Sequence, residues 1–199
     1  MRILVVGASG TIGRAVVAEL SQRHEVIGAG RTSGDVRLDI TDAASIRAGL
    51  EHVGQIDALV SATGSVKFGP LEDMTAADYE IGLRDKLMGQ VNLVLLGRAH
   101  VSDGGSFTLT TGVLADDPIR MGSSASMVNG AVEAFVGAAA IELPRGLRIN
   151  AVSPGVIEEA MASYAPFFRG FEPVPAARAA LAYAKSVEGA QTGRVYRVA

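Results

Sequence analysis

The sequence contains no cysteine. That excludes disulfides, thiolate nucleophiles and Cys-ligated metal, and it fits a reducing compartment, so a cytoplasmic protein is expected. Histidine is confined to His24, His52 and His100, and none is spaced with carboxylates as a ligand set, so no metal is expected. Charge of one sign is also lacking: the net value of −3 offers no basic footprint for nucleic acid or an anionic membrane surface. Long apolar runs are missing too. The opening Met1-Arg2-Ile3-Leu4-Val5-Val6 is cut by Gly7, Gly10 and Gly13, and no later run approaches ~20 residues. The expected partner is a small-molecule substrate, with no nucleic acid and no membrane.

Glycine is what the chain has in excess, 24 of 199 residues without any period, which rules out collagen-like and low-complexity readings. The 48% apolar and 20% charged content is that of an ordinary folded protein, and the length suits one domain, residues 1–199, with no linker or repeat. Short apolar runs alternate with helical patterns. Ile3–Val6, Glu25–Gly30, Val36–Asp39, Ile56–Ser61, Phe107–Thr111, Leu147–Val152 and Arg194–Val198 read as seven strands. Helices are expected after Ile12, from an N-cap at Thr41 to about Val53, from a Thr75–Asp78 capping box to about Val101, and from about Ser124 to Leu143. Shorter ones fall near Glu158–Phe167 and Ala176–Lys185. This alternation predicts an α/β fold, a doubly wound parallel seven-stranded sheet with helices on both faces.

Gly7-Ala8-Ser9-Gly10-Thr11-Ile12-Gly13 joins the first strand to the first helix. The first Gly permits the tight turn, the second lets backbone amides approach a pyrophosphate, and the third lets helix and strand pack closely. The helix N-terminus adds free N–H groups and a positive dipole end. In this strand–turn–helix setting the pattern reads as a dinucleotide site rather than a ligand-free turn. An NAD site carries Asp or Glu at the end of the second strand, but here Gly30 stands there, followed by Arg31, Thr32 and Ser33. Arg31 can pair with a 2′-phosphate that a carboxylate would repel, so the expected cofactor is NADP(H). Asp39 and Ile40, closing the third strand, are expected against the adenine, the alternative being that Asp39 merely starts the next helix.

On these residues the chain resembles the short-chain dehydrogenase/reductase family. Pro144-Arg145-Gly146-Leu147-Arg148-Ile149-Asn150-Ala151-Val152-Ser153-Pro154-Gly155-Val156-Ile157 is similar to the family's sixth strand and the turn after it, and Asp39-Ile40 and Thr192-Gly193 match as well. The resemblance implies a Rossmann fold with strand order 3-2-1-4-5-6-7, hydride transfer through NAD(P), and a homodimer or homotetramer. It also implies that Pro154, Gly155, Val156 and Ile157 hold the nicotinamide end. Ala62, Thr63 and Gly64 would follow the fourth strand along the cofactor, with Gly64 giving close backbone approach.

The family's Asn-Ser-Tyr-Lys set is altered. By local register Lys86 replaces the Asn, Thr111 the Ser, Ala125 the Tyr and Asn129 the Lys. Ala125 has no proton to give. The expected catalytic residues are therefore Thr111, orienting the acceptor, with Lys86 and Asn129 at the ribose or, for Lys86, in proton supply. Glu159 stands where the family often has a Thr at the phosphates. Two functions remain open from sequence: an NADP(H)-dependent oxidoreductase acting on a small organic acceptor, and a catalytically inactive NADP(H)-binding or redox-sensing protein on the same fold.

Overall fold

A computed structural model describes residues 1–199. Its strands are β1 (Arg2–Val6), β2 (Glu25–Gly30), β3 (Val36–Arg37), β4 (Ile56–Ser61), β5 (Val101–Thr110), β6 (Arg148–Pro154) and β7 (Val195–Val198). They form one seven-stranded sheet in the order β3-β2-β1-β4-β5-β6-β7, every pair parallel. This is the expected Rossmann architecture.

Helices cover both faces, which is why the central strands read as continuous apolar runs. Leu4, Val6, Leu59, Phe107 and Ile149 point to one face, toward α2 (Ala43–Val53), α4 (Met88–Gly97) and α5 (Ser123–Glu142). Ile3, Val5, Ala58, Val60 and Val152 alternate to the other, toward α1 (Thr11–Leu20) and α7 (Ala176–Glu188). α3 (Ala76–Gly82) runs into α4 through a π-turn, Leu83–Leu87, and α6 (Met161–Tyr164) is one turn long.

Several boundaries differ from the sequence reading. β3 stops at Arg37, because Asp39 turns back to accept from Thr41 N at 2.9 Å and Thr41 Oγ1 at 2.7 Å. The cap of α2 is accordingly Asp42, not Thr41; its carboxylate accepts from Ala44 N at 2.8 Å. β5 begins at Val101 rather than Phe107, since Gly104-Gly105 continues the strand through an irregular register; a side chain at Gly105 would overlap Asp57 O. The helix preceding it ends at Gly97, short of Val101. α5 is long and apolar enough to cross a membrane by length and composition alone, although Asn129 and Glu133 interrupt its apolar residues. Here it lies on the sheet, with Val128, Val132 and Val136 buried.

The sheet opens at one point. β4 pairs with β5 only as far as Val60 and Thr108. Beyond that the fully buried Gln90 acts as a rung, accepting from Thr110 N at 2.8 Å and donating to Thr110 O at 2.9 Å. Gln90→Met keeps length but leaves both backbone groups unpaired in the interior. Urea denaturation should show a loss of about 2 kcal/mol or more. A midpoint equal to that of the parent would mean that Gln90 is not needed to close this gap.

Candidate functional site

The strand order reverses between β1 and β4, and ligands of open α/β sheets bind outside the carboxyl ends of the strands at such a point. Two pockets lie there and share Ala62 and Ser65: a polar one of about 260 Å³ and a more apolar one of about 510 Å³.

The glycine turn forms the wall between them. Gly7 has φ +84°, and a Cβ there would meet Ala62 O at 2.5 Å. A Cβ on Gly13 would overlap Gly7 O, so only Gly lets α1 sit this close to β1. Gly13 is the one expected cofactor residue that lines neither pocket. No side chain caps α1; Gly10 is its N-cap, and Thr11 and Ile12 border the larger pocket. Arg14 Nη1 donates to Ser9 O at 2.6 Å, bracing the turn.

Gly7, Ser9, Gly10, Arg31, Thr32, Ser33, Asp39, Ile40, Ala62 and Thr63 all line the polar pocket. Gly30 is enforced locally, because a Cβ would lie 2.9 Å from Ser33 O; the turn itself excludes a carboxylate side chain at that position. Arg31 is exposed and forms no salt bridge. Ser33 Oγ donates to Ser9 Oγ at 2.8 Å, tying the two loops together. Asp35, which the sequence did not single out, accepts from Gly28 N at 2.8 Å and pins the same loop to β2. The backbone and hydroxyl hydrogen bonds from Thr41 hold the Asp39 carboxyl below its usual range, helped by Arg31, so it is anionic at neutral pH. Asp39 thus lines the pocket and also organises the start of α2. Ile40 is buried on Gly89, where a Cβ would come within 2.7 Å of Ile40 Cδ1.

The larger pocket brings together Lys86, Thr111, Asn129 and Ala125 with Gly64, Pro154, Gly155, Val156 and Ile157. Lys86 sits in the π-turn, which sequence periodicity does not signal. Its Nζ donates to Thr111 O at 3.1 Å, and burial pushes its pKa down to about 8, partly opposed by Asp85. Gly64, at φ +134°, borders the larger pocket and is also required beside Lys86, since a Cβ would meet Lys86 Cγ at 2.7 Å. Asn129 Nδ2 donates weakly to Gly112 O at 3.4 Å, while its Oδ1 is buried without a partner.

Thr111 is held from behind. Its hydroxyl donates to Glu133 Oε1 at 3.1 Å, Glu133 pairs with Arg197 at 3.2 Å, and Arg197 grips Asp116 at 2.6 and 2.7 Å. With its proton engaged, Thr111 faces the pocket as an acceptor. Tyr164 also borders this pocket, whereas Tyr79 is bonded to Ser123 Oγ at 2.7 Å. Glu159 is taken up elsewhere, both of its oxygens accepting from Ala176 N at the start of α7.

This donor set fits a dinucleotide. The glycine turn leaves room for backbone approach, the end of β2 carries a free cation in place of a carboxylate, and the orphaned Asn129 Oδ1 beside Lys86 can receive a ribose hydroxyl.

The profile of the enoyl-(acyl carrier protein) reductase family matches residues 3–194. The protein lin1944 from Listeria innocua is 56% identical over the whole of both chains, with a TM-score of 0.99. A small-chain dehydrogenase solved in complex with NADPH is 27% identical with a TM-score of 0.88, covering 100% of this chain and 96% of that one. An uncharacterized oxidoreductase of Methylorubrum extorquens is 28% identical over 160 residues, 78% of this chain. The present chain spans 62% of that relative's length. Given a match across nearly the whole sequence, the reversed strand order and the glycine turn at its crest, the chain belongs to the short-chain dehydrogenase/reductase family of oxidoreductases.

Proposed function

We propose that this chain is an NADP(H)-dependent oxidoreductase, one dinucleotide-binding domain over residues 1–199, that passes hydride to a small organic acceptor in the larger pocket. The observation that carries the NADP(H) assignment is the end of β2. Arg31 is free there, and the Ser33 turn leaves no space for the carboxylate that an NAD site uses. The NADPH complex of a relative at 27% identity supports the same cofactor. The glycine turn and the start of α1 cradle the pyrophosphate, and the Pro154–Ile157 turn orients the nicotinamide. The cofactor supplies the hydride; the chain supplies position and charge. Asn129 and Lys86 hold the ribose, Lys86 serves as the proton reservoir, and Thr111 fixes the acceptor from the end of β5.

A second reading, NADP(H) binding without turnover, is favoured by Ala125 and by the engaged proton of Thr111. Consumption of NADPH across a panel of acceptors separates the two readings.

We also propose a cytoplasmic homodimer or homotetramer. Ile81 on α3, Met88 and Leu95 on α4, and Met127 and Ile141 on α5 are exposed apolar side chains whose pairing with a second copy would cover them.

Three outcomes test these proposals. NADPH should bind more tightly than NADH, and Arg31→Asp should weaken NADPH by roughly 10-fold or more while sparing NADH, on the scale of a charge-assisted hydrogen bond. Unchanged preference by fluorescence titration would remove Arg31 from the site. Sedimentation at micromolar concentration should show an oligomer; a pure monomer contradicts the covered-helix argument.

The third outcome concerns Lys86. Its folded pKa of about 8 lies below its unfolded value of 10.5, so the unfolded chain binds more protons between these limits. Parent stability should therefore rise with pH across that window. Relative to Lys86→Met, the parent should gain roughly 1–3 kcal/mol between pH 8 and 10. A pH-independent difference would show that the ammonium is not desolvated.

A further inference from the structure

The larger cavity has a chemical character that hydride transfer alone does not explain. Lys86 is the one charged side chain lining it. The rest of the wall is largely apolar, with Val66, Phe68, Leu114, Val156 and Phe168 among its members. Phe68 and Tyr164 meet edge to face at 6.1 Å, and Tyr164 and Phe168 at 6.0 Å, over the mouth formed by α6. Such walls accept a flat, uncharged ring. A lone cation among them favours a molecule that becomes negative only on reaction.

The cation is positioned for that. Lys86 Nζ spends one proton on Thr111 O and has two more. Asn129 is tied to the next carbonyl, Gly112 O, so the two side chains flank one turn at the end of β5. The hydroxyl proton of Thr111 is directed to Glu133, and residue 125 is alanine. A reduced ketone leaves an alkoxide, a strong base that has to be protonated as it forms by a donor aligned with the carbonyl oxygen, the place that the family's phenol would take and Ala125 leaves empty. A reduced quinone leaves a phenol-type oxygen with a pKa near ~10, for which a neighbouring ammonium suffices.

We propose that the acceptor is a quinone and that Lys86 stabilises the hydroquinone oxyanion formed from it. The proposal rests on the NADP(H) reading. Hydride leaves the dihydronicotinamide by cleavage of its C–H bond and forms an O–H bond at one quinone oxygen, so the dihydronicotinamide is oxidised to the nicotinamide cation and the quinone is reduced. The π electrons of the two C=O groups shift through the ring, which becomes aromatic, and the negative charge comes to rest on the other oxygen. That oxygen takes its proton from the Lys86 ammonium, which water then reprotonates. The charged groups around Lys86 are Asp85 on its own turn, whose Oδ1 is held by Ser65 N, and Glu133 of α5 behind Thr111, paired with Arg197. Tyr164 is the other titratable group on the cavity wall.

Two measurements on the full chain decide it. Without cofactor, 4-nitrophenol is titrated with the protein and its phenolate absorbance followed. Bound dye should have its pKa lowered by about one unit or more, and Lys86→Met should abolish the shift. With NADPH, 1,4-naphthoquinone should be reduced at least about 10-fold faster than 1-tetralone. Lys86→Met should lower the quinone kcat by about 10-fold or more and remove its fall above about pH 8. An unshifted dye, equal rates for quinone and ketone, or no quinone reduction by protein that binds NADPH would each overturn the quinone assignment and leave the cofactor reading standing. Failure to bind NADPH would overturn both.

Discussion

The cleft depends on one close approach, that of the Gly7 carbonyl to the α-carbon of Gly13. A side chain at either end is excluded: on Gly13 it would overlap Gly7 O, and on Gly7 it would strike Ala62 O and Thr63 Cβ. Only with both positions bare can α1 lie down over the crest of β1 while the loop after β4 touches the same turn. Everything functional follows from that contact. It brings the first turn of α1 to the cleft, sets the loops after β1 and β4 side by side, and divides the cleft into a polar and an apolar half that meet at Ala62 and Ser65. An added methyl would have to be accommodated by shifting the helix, since protein interiors leave no slack of that size.

Charge is sorted along the cleft with similar economy. Arg31, Asp39 and Asp85 line the polar end, and Lys86 stands alone at the apolar end. Each carboxylate near the larger cavity is already engaged: Glu133 with Arg197 and Thr111, Asp85 with Ser65 N, Glu159 with the first amide of α7. A desolvated cation without a salt-bridge partner is disfavoured, and the fall of the Lys86 pKa to about 8 records that. The charge of Asp85 opposes the fall only in part. A group held in this unfavourable state gains most from a ligand that brings negative charge to it.

Much of this was legible in the sequence because it is written in periodicity and in glycine. The seven strands, their parallel winding and the position of the glycine turn follow from alternation of apolar runs with helical patterns, and the structure has them in the implied order. Lys86, Thr111 and Asn129, named by register alone, share one cavity wall. Features that depend on long-range meeting were not legible. Gln90 reads as a polar residue in a helix until β5 parts from β4 beside it. The π-turn at Leu83–Leu87 leaves no mark in composition. The chain Thr111–Glu133–Arg197–Asp116 joins residues up to 81 positions apart. That Gly64 also makes room for the stem of Lys86 was not legible, because the two meet only in the fold.

The same wall explains why the departures from the family pattern at positions 86 and 129 belong together. On the register inferred from the resemblance, the family has Asn where this chain has Lys86, and Lys where it has Asn129. The two side-chain types are exchanged, not lost. Lys86 and Asn129 bond the successive carbonyls of Thr111 and Gly112, so their polar ends are near neighbours. Two ammonium groups on neighbouring carbonyls would repel; unit charges about 4 Å apart at an effective dielectric of about 20 do so by about 4 kcal/mol. Two amides would leave the cavity without any cation. One lysine and one asparagine is the arrangement that keeps a single positive charge on this wall, and it can enter from either helix. The replacement of the phenol by Ala125 is a separate matter, because alanine carries no proton and Lys86 is the donor that the proposed reaction uses instead. On that proposal the site keeps its cation without the phenol, an arrangement suited to acceptors whose reduced form is a weak base.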